Sequence, residues 1–420
     1  MNHRLPNSLF LIVLIACLIR VNPASSTTWV LRNALVHFGD GRKEVLLDVG
    51  IRDGKIVIPV PADFNPDSVL NLSGKHIYPG LIACNSNLGL SEIEAVRATN
   101  DFIETGLLNP GSRSLIAYNT DSKIIPTVKS NGVLLVECTP QGGIISGTSS
   151  VLNTSGWNWE DACVYADAAM HINWPGEISN QGSDKESIQR MKETRASHVQ
   201  LLKTYFDEAK AYVNRSKPDE INTHYEAARA IFSGKRNVMV HANMAADIMD
   251  AVHFFEGYGI KPILVGAADS YLLLPFLKEK NISVILVKTH GLPFREDEDP
   301  NLIHRLPYLL ESAGIKYALS VDGFWQIRTL SYQAGTAAAF GLSKEQALRS
   351  ITLSPAEILG IANSQGSIAN GKTANLLITQ GDLLDIKESK IERAFINGKQ
   401  TGMVNWQDDL YNRFKDKYGY

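Results

Sequence analysis

The chain has 420 residues, of which 44% are hydrophobic and 20% are charged, and its formal net charge is −3. This composition is typical of a globular protein with enough apolar material for one large domain and a smaller one. The chain lacks the basic excess of nucleic-acid binders, so we expect no nucleic-acid partner.

The first 26 residues have the pattern of a signal peptide. A weakly basic start precedes an apolar run from Leu9 to Ile19, which is too short to span a bilayer, and small residues around Ala24 fit cleavage before Thr27. The pattern predicts an exported protein, periplasmic or secreted, with no transmembrane span in the mature chain. Small residues before Cys17 leave a lipoprotein as the less favoured alternative.

Three cysteines remain in the mature chain, in a compartment that permits disulfides. Cys84 and Cys138 both close predicted strands and could pair, whereas Cys163 has no evident partner. The alternative is three unpaired thiols that act as small hydrophobic side chains.

Both ends of the mature chain have a sequence pattern that is typical of small β units. From Thr27 to Asn71, short apolar runs alternate with turns rich in Asp and Gly, which is typical of β-hairpins. The same pattern of short apolar runs and turns is found from Ala374 to Gly398. We expect residues 27–74 and 368–405 to form one composite β-sandwich, and residues 406–420 to form an amphipathic tail helix.

The segment 75–367 alternates short apolar strands with longer helical stretches. The strands are predicted at Ile77–Ile82, Val133–Glu137, Asn237–His241, Pro262–Val265, Ser283–Val287 and Tyr317–Val321. This alternation indicates a parallel sheet with crossover helices, and the number of repeats favours a closed barrel. The predicted fold class is therefore α/β, a (β/α)₈ TIM-like barrel with a composite β-sandwich. The polar stretch Ser179–Glu220 is predicted to be a solvated insertion, with a lid over the barrel mouth as the alternative.

Polar side chains recur where the predicted strands end. They are Asn85, Asn87, Glu137, His241, Asn243 and Asp322. Two amides at i and i+2 of one strand point toward the same place, and a carboxylate that ends an apolar strand needs a partner. The set predicts a site for a polar small molecule, in which Asn85, Asn87, Glu137 and Asn243 contact the substrate.

Two further features leave alternatives open or favour a structural role. The stretch Gln141–Ser150 is rich in Gly and Ser, so it could hold an oxyanion through backbone N–H groups or be a flexible loop. For His171, a structural role is favoured over a place at the mouth.

Several motifs together resemble those of the amidohydrolase superfamily, in particular its imidazolonepropionase-like exported branch. The motifs are Tyr78–Ile82, Val240–Ala242, Ser320–Asp322, Ala347–Gly360 and Gly366–Leu376. The resemblance covers nearly all of the mature chain. It implies metal-assisted hydrolysis of a non-peptide C–N bond in a small cyclic amide or related compound. It also implies that His241 and Asp322 are metal ligands and that Asp322 is the catalytic group that moves protons.

The first strand departs from the family pattern. Where the family has D-x-H-x-H, this chain has Ala83 to Asn87, so Asn85 and Asn87 replace both histidines, and Gly266 stands where many members have another His. Catalytic zinc usually keeps three protein ligands, and amide oxygens suit harder ions. We therefore expect a degenerate site with one divalent ion, for which zinc fits less well.

Two functions follow from these residues. The first is hydrolysis of C–N bonds other than peptide bonds. The alternative is a non-catalytic relative that binds a small molecule or supports an active partner, either a second copy or a paralogue.

Overall fold

The structure is a computed structural model that describes residues 27–176, 184–215, 220–293, 295–296 and 298–419. The predicted signal peptide lies outside the described residues. Across the part of the chain that is described, no helix is both long and apolar enough to cross a membrane.

The two ends of the chain form one eight-stranded sheet, here called the terminal sheet. Its strands are β1 Trp29–Val36, β2 Val45–Arg52, β3 Lys55–Val57, β4 Ser68–Asn71, β5 His76–Pro79, β14 Leu376–Gln380, β15 Lys390–Ile396 and β16 Lys399–Thr401. The strand order is β16-β15-β14-β5-β1-β2-β3, and β4 pairs with β1. Antiparallel pairing of β5 with β14, with Ile77 opposite Ile378, joins the two ends. A β-rich domain built from both termini is confirmed.

The second eight-stranded sheet curls into a nearly closed barrel. Its strands are β6 Leu81–Ser86, β7 Val133–Cys138, β8 Ile145–Asn153, β9 Cys163–Asn173, β10 Asn237–Ala242, β11 Ile263–Gly266, β12 Ser283–Leu286 and β13 Tyr317–Leu319. They neighbour one another in chain order. A hydrogen bond of 2.8 Å from Ser86 Oγ to the Gly323 carbonyl links β6 to the segment after β13. The α/β barrel is confirmed.

Most helices lie between the barrel strands or follow the last of them, and the final helix follows the terminal sheet. They are α1 Ser114–Ala117, α2 Ile125–Ser130, α3 Trp159–Ala162, α4 Lys185–Val213, α5 Thr223–Glu226, α6 Arg229–Phe232, α7 Ala245–Glu256, α8 Leu274–Glu279, α9 Leu302–Ala313, α10 Leu330–Ala339, α11 Lys344–Arg349, α12 Leu353–Ile358 and α13 Trp406–Tyr418. Short 3₁₀ turns lie at Arg97–Thr99, Ala268–Leu273 and Gln326–Thr329.

The polar stretch Ser179–Glu220 lies partly outside the described residues, and its described part is mainly α4, which is solvated in its first half and packed in its second half. In α4, Leu202, Phe206 and Ala209 are buried on one face because they recur at helical spacing. The Phe206 ring meets Phe255 of α7 edge-on, with 5.3 Å between ring centroids. The buried face of α4 therefore packs against α7, and a lid over the barrel mouth stays a prediction.

The barrel begins later than the sequence predicts. Residues 76–79 form β5 of the terminal sheet, so the predicted barrel strand Ile77–Ile82 and the boundary at residue 75 are wrong. The chain enters the barrel at Gly80, where an added Cβ would lie 2.7 Å from Leu134 Cδ1. An apolar run that crosses two sheets cannot be divided by periodicity alone, because both halves are buried.

Gly80→Ala is therefore expected to destabilise the fold by about 1–3 kcal/mol, because the added methyl group overpacks a junction without free space. Urea unfolding measures the change. Gly402→Ala is the matched control, since an added Cβ there meets no atom within 4 Å. Equal stabilities of the two variants would show that Leu134 moves aside without cost.

One strand runs against the expected direction. β8 pairs antiparallel with both β7 and β9, whereas the other neighbouring barrel strands pair in parallel. The connections before and after β8 are too short for the crossover that parallel strands need. Gly142 and Gly143, both with positive φ, help the chain to turn back. The Gly- and Ser-rich stretch Gln141–Ser150, for which an oxyanion-binding backbone and a flexible loop were both left open, is therefore strand from Ile145 onward.

The cysteines Cys84, Cys138 and Cys163 are free thiols. The unpaired alternative thus describes the structure, and a disulfide between Cys84 and Cys138 is not formed. Burial raises the pKa of both of these thiols, which keeps them protonated.

Candidate functional site

Asn85 and Asp322 meet at the carboxyl end of the barrel. Asn85 Nδ2 donates a hydrogen bond of 2.9 Å to Asp322 Oδ1. The Asn85 backbone has φ of 52°, in the left-handed region that Asn tolerates better than most residues, at an irregularity in the pairing of β6 with β7. This conformation breaks the simple alternation expected for Asn85 and Asn87. The side-chain oxygens of both amides are buried without a hydrogen-bond partner.

Glu137 lies beneath Asn85 with no exposed surface. Its carboxylate accepts hydrogen bonds from the Asn85 backbone N–H at 3.1 Å and from Ser149 Oγ at 2.7 Å. His171 Nε2 lies 3.2 Å from Glu137 Oε1. Burial alone would raise the pKa of Glu137, but these donors outweigh burial and hold the pKa below its ordinary value. The carboxylate is therefore ionised and fully bonded.

The network ends in two facing imidazole rings. His171 Nδ1 lies 3.0 Å from His241 Nε2. Burial, and the neighbouring His171, lower the pKa of His241 to about 3, so His241 is neutral near pH 7. Because Glu137 accepts, His171 Nε2 carries a proton. In the tautomer in which His241 Nε2–H donates to His171 Nδ1, His241 Nδ1 is left as an acceptor.

This burial predicts a pH dependence of stability. A histidine whose folded pKa is depressed stays neutral in the fold, while the unfolded chain takes up a proton as the pH falls below about 6.5. The free energy of unfolding should therefore fall from pH 6.5 toward 5, with His241 contributing at most about 1.4 kcal/mol per pH unit.

Urea unfolding at several pH values measures this slope. His241→Gln should flatten it, whereas His224→Gln, at an exposed position in α5, should not. A slope that is unchanged in His241→Gln would contradict a His241 that stays neutral in the folded protein.

Asp322 opens onto a cavity of about 150 Å³. Its lining includes Asn243, Gly266, Lys288 and Asp322, and the apolar side chains Leu286, Leu292, Leu302, Ile303 and Leu306. Burial raises the pKa of Asp322 above its ordinary value, although the Asn85 amide and the Lys288 charge oppose the shift. An added Cβ at Gly266 would lie 2.4 Å from Asn243 Oδ1, so the missing side chain makes room for that amide.

The predicted site residues are thus only partly brought together. Asn85 bonds Asp322 directly, Glu137 bonds Asn85, and Asn243 shares the cavity with Asp322. Within the described part of the chain, hydrogen bonds link His241 to Asp322 by way of His171, Glu137 and Asn85. The roles assigned to these residues stay predictions.

Three residues of this region were not predicted as site residues. His171 and Ser149 bond Glu137, and Lys288 lines the cavity. His171 lies two residues before the end of β9, and this position near a strand end is the feature that marks it as a site residue. The position can be used only after β9 has been identified as a strand. Lys288 follows β12 closely, at the end of the barrel where functional groups gather.

The side chains at the mouth do not fit a catalytic zinc ion. Such an ion usually has three protein ligands. Among the described residues, the group of three His, Cys or carboxylate ligand atoms that lie within 4.8 Å of one another is His37, Glu44 and Glu345, which are not at the mouth. One divalent ion shared by His241 and Asp322 stays a prediction.

Comparisons with known proteins agree with this architecture. The model of the amidohydrolase family matches residues 134–404. The structure of an amidohydrolase from Thermotoga maritima MSB8 has a TM-score of 0.77 at 23% identity, covering 89% of this chain and 99% of that one.

Two more distant structures share the fold. A prolidase complexed with N-methylphosphonate-L-proline has a TM-score of 0.54 at 18% identity, covering 89% of this chain and 99% of its own. An adenosine deaminase from Xanthomonas campestris with bound zinc has a TM-score of 0.54 at 14% identity, covering 94% and 99%. A sequence search of curated proteins gave no match. At these identities, the structural likenesses show the fold alone.

Proposed function

The chain belongs to the amidohydrolase family, and on that premise we propose that its barrel mouth hydrolyses a non-peptide C–N bond in a small cyclic amide or related compound. The observation that carries this proposal is the Asp322 carboxylate, which is held by Asn85 and opens onto the cavity. An imidazolonepropionase-like relationship, supported by the sequence motifs, is part of the proposal.

Asp322 is the proposed general base. A carboxylate with an ordinary pKa is a weak base at neutral pH, and burial moves the pKa of Asp322 upward, toward the working range of a catalytic base. Asn85 Nδ2 donates a hydrogen bond to Asp322 Oδ1, which fixes the orientation of the carboxylate. The other carboxylate oxygen is then available to a water molecule in the cavity.

The size and polarity of the cavity favour a compact substrate. A volume of about 150 Å³ suits a small ring better than an extended peptide. Apolar side chains such as Leu302 and Leu306 form one wall, while Asn243 and Lys288 are polar groups that can orient an amide. The side-chain oxygens of Asn85 and Asn87 are buried acceptors without a hydrogen-bond partner, and a water O–H or a ligand N–H that reaches them would satisfy them.

The reaction then proceeds in two proton transfers. Asp322 takes a proton from water while the water oxygen attacks the amide carbon, and the Lys288 charge stabilises the negative oxygen that develops. The C–N bond breaks as Asp322 returns the proton to the leaving nitrogen. The products are a carboxylate and an amine, which remain one molecule if the substrate is a ring.

A substrate panel tests the bond specificity. The purified chain is incubated with cyclic amides, cyclic imides, N-acyl compounds and X-Pro dipeptides, and products are identified by mass spectrometry. We expect turnover among the cyclic compounds. Cleavage confined to the dipeptides would overturn the non-peptide assignment, although it would leave a hydrolase.

The second candidate function is binding without catalysis. It is favoured by the two amides at the positions where the related family pattern has histidines. It is also favoured because the one group of three ligand side chains found among the described residues does not lie at the mouth. In that case, a compound from the panel binds with saturable heat in calorimetry and is recovered unchanged. Turnover at enzyme-like rates by the native chain excludes this alternative.

Export and assembly are further proposals that rest on the sequence. The pattern of residues 1–26 supports export, with a periplasmic or secreted mature protein. A second copy or a paralogue is the proposed partner if the chain acts without catalysis of its own.

A further inference from the structure

A second cluster of ligand-type side chains lies between the terminal sheet and the barrel. His37 follows β1, Glu44 directly precedes β2, and Glu345 lies in the first turn of α11. One potential ligand atom from each lies within 4.8 Å of the other two. The three residues are far apart in sequence, so the cluster joins the two units of the fold.

This cluster lies away from the barrel mouth. His37 Nε2 is 2.9 Å from Nδ1 of His76 in β5, which precedes the first barrel strand. From Leu81, at the start of β6, the strand rises by roughly 13 Å before it reaches Asn85. The cluster therefore belongs to the amino-terminal end of the barrel strands, opposite Asp322.

The His37 ring is held in one orientation. It stacks on Tyr78 with 4.1 Å between ring centroids and 9° between ring planes. Its Nδ1 lies 2.6 Å from Glu345 Oε1. When the His37 proton is on Nε2, facing His76, the Nδ1 lone pair and the Glu345 carboxylate are two ligand groups that one cation can bind in place of a proton on Nδ1.

Glu345 supplies an independent observation. The residue is only 9% exposed, and its second oxygen, Oε2, is buried with no hydrogen-bond partner. An ionised carboxylate with an unsatisfied buried oxygen is costly. A metal ion bound by the same carboxylate would remove that cost. Glu44 is half-buried, and its carboxylate together with that of Glu345 balances the two positive charges of a divalent ion.

We propose that His37, Glu44 and Glu345 bind one divalent transition-metal ion, of the zinc or manganese type, that clamps the terminal sheet to the barrel. One imidazole nitrogen and two carboxylates are common ligands for such ions, and water completes the coordination. The ion replaces the proton between His37 and Glu345, and ligand distances of about 2.1 Å require their contact to widen slightly. His76 fixes the tautomer of His37 from the other side of the ring.

The experiment uses the full mature chain without an affinity tag, first treated with a chelator and then titrated with Zn²⁺ or Mn²⁺ alone. Calorimetry gives the affinity, elemental analysis gives the stoichiometry, and thermal unfolding gives Tm with and without the ion. The variants are Glu345→Gln and the milder Glu44→Gln. Asp63→Asn is the matched control, an exposed carboxylate in the same terminal segment.

We expect one ion per chain, and a Tm that rises by several degrees when the ion binds. Glu345→Gln should abolish binding, and Glu44→Gln should weaken it at least tenfold, while Asp63→Asn changes neither. If Glu345→Gln does not fold, the affinity of Glu44→Gln for the ion alone decides whether the proposal holds. Unchanged affinity in Glu44→Gln, or no binding by the native chain, overturns the proposal.

A comparison with Asp322→Asn separates this site from the mouth. Retention of the ion in Asp322→Asn supports the proposal. Loss of the ion in Asp322→Asn but not in Glu44→Gln would place the ion at the mouth and overturn the clamp. The clamp does not require hydrolysis, so its failure leaves the proposed activity untouched.

Discussion

Asp322→Asn is expected to lower kcat by a factor of about 10²–10⁴, the range that a positioned general base contributes. The amide cannot take a proton from water, yet it keeps the shape of the carboxylate and can still meet Asn85, whose Nδ2 now bonds Asp322 Oδ1. KM should change much less than kcat, because binding of the ring depends on the rest of the cavity. Initial rates on the best substrate of the panel measure both constants.

The pH profile gives a second readout of the same group. Because burial raises the pKa of Asp322, kcat/KM should fall as the pH drops through that raised value, and this acidic limb should disappear in the variant. Asp121→Asn, the same change at an exposed position, serves as the control. A fully active Asp322→Asn would remove Asp322 from the chemistry.

Glu137→Gln is expected to lower the free energy of unfolding by about 3 kcal/mol, as for other broken buried charged networks. The Gln side chain has one oxygen and one NH₂ group, whereas both carboxylate oxygens of Glu137 accept hydrogen bonds. In one orientation the NH₂ group faces the Asn85 backbone N–H, and in the other it faces the donors Ser149 Oγ and His171 Nε2–H. Both orientations therefore place two donors opposite each other. Because Asn85 in turn holds Asp322, the variant should also lose activity.

Urea unfolding of Glu137→Gln should be compared with two further variants. Ser149→Ala removes one hydrogen bond and should cost about 1 kcal/mol. Glu160→Gln, at an exposed position in α3, should stay within about 0.5 kcal/mol of the native value. A Glu137→Gln variant as stable as Glu160→Gln would show that the buried carboxylate does not hold the mouth together.

Much of the fold could be predicted because it follows from local patterns. The apolar runs that begin at Val133, Asn237 and Ser283 are strands in the structure, as predicted. The hairpin signals at both ends correctly indicated a shared β unit. Short-range periodicity and turn chemistry were sufficient for these elements.

The parts that escaped prediction depend on long-range pairing. β8 carries Ser and Gly residues that resemble loop sequence, and its pairing with β7 and β9 makes it a strand. The strand β9, which pairs with β8 and β10, was not predicted. Without β9, His171 had no strand end to mark it as a mouth residue. The bulge at Asn85 likewise depends on the partner strand, so the spacing of the two amides could not show that only one of them reaches Asp322.

The metal-ligand cluster was invisible to sequence spacing for the same reason. His37 and Glu345 are separated by 308 positions and meet only because the terminal sheet packs against α11. In contrast, the candidate residues at strand ends could be selected, because parallel strands place their carboxyl ends at one mouth.

A single-turnover reaction in ¹⁸O-labelled water tests the proposed chemistry most directly. The protein is mixed in excess with a cyclic amide from the panel, and the reaction is quenched at intervals. The mass of the product is measured by mass spectrometry. Hydrolysis with Asp322 as the base predicts one labelled oxygen in the new carboxylate from the first turnover. Unlabelled product in that turnover would contradict a general-base role, and bound but unchanged amide would contradict hydrolysis itself.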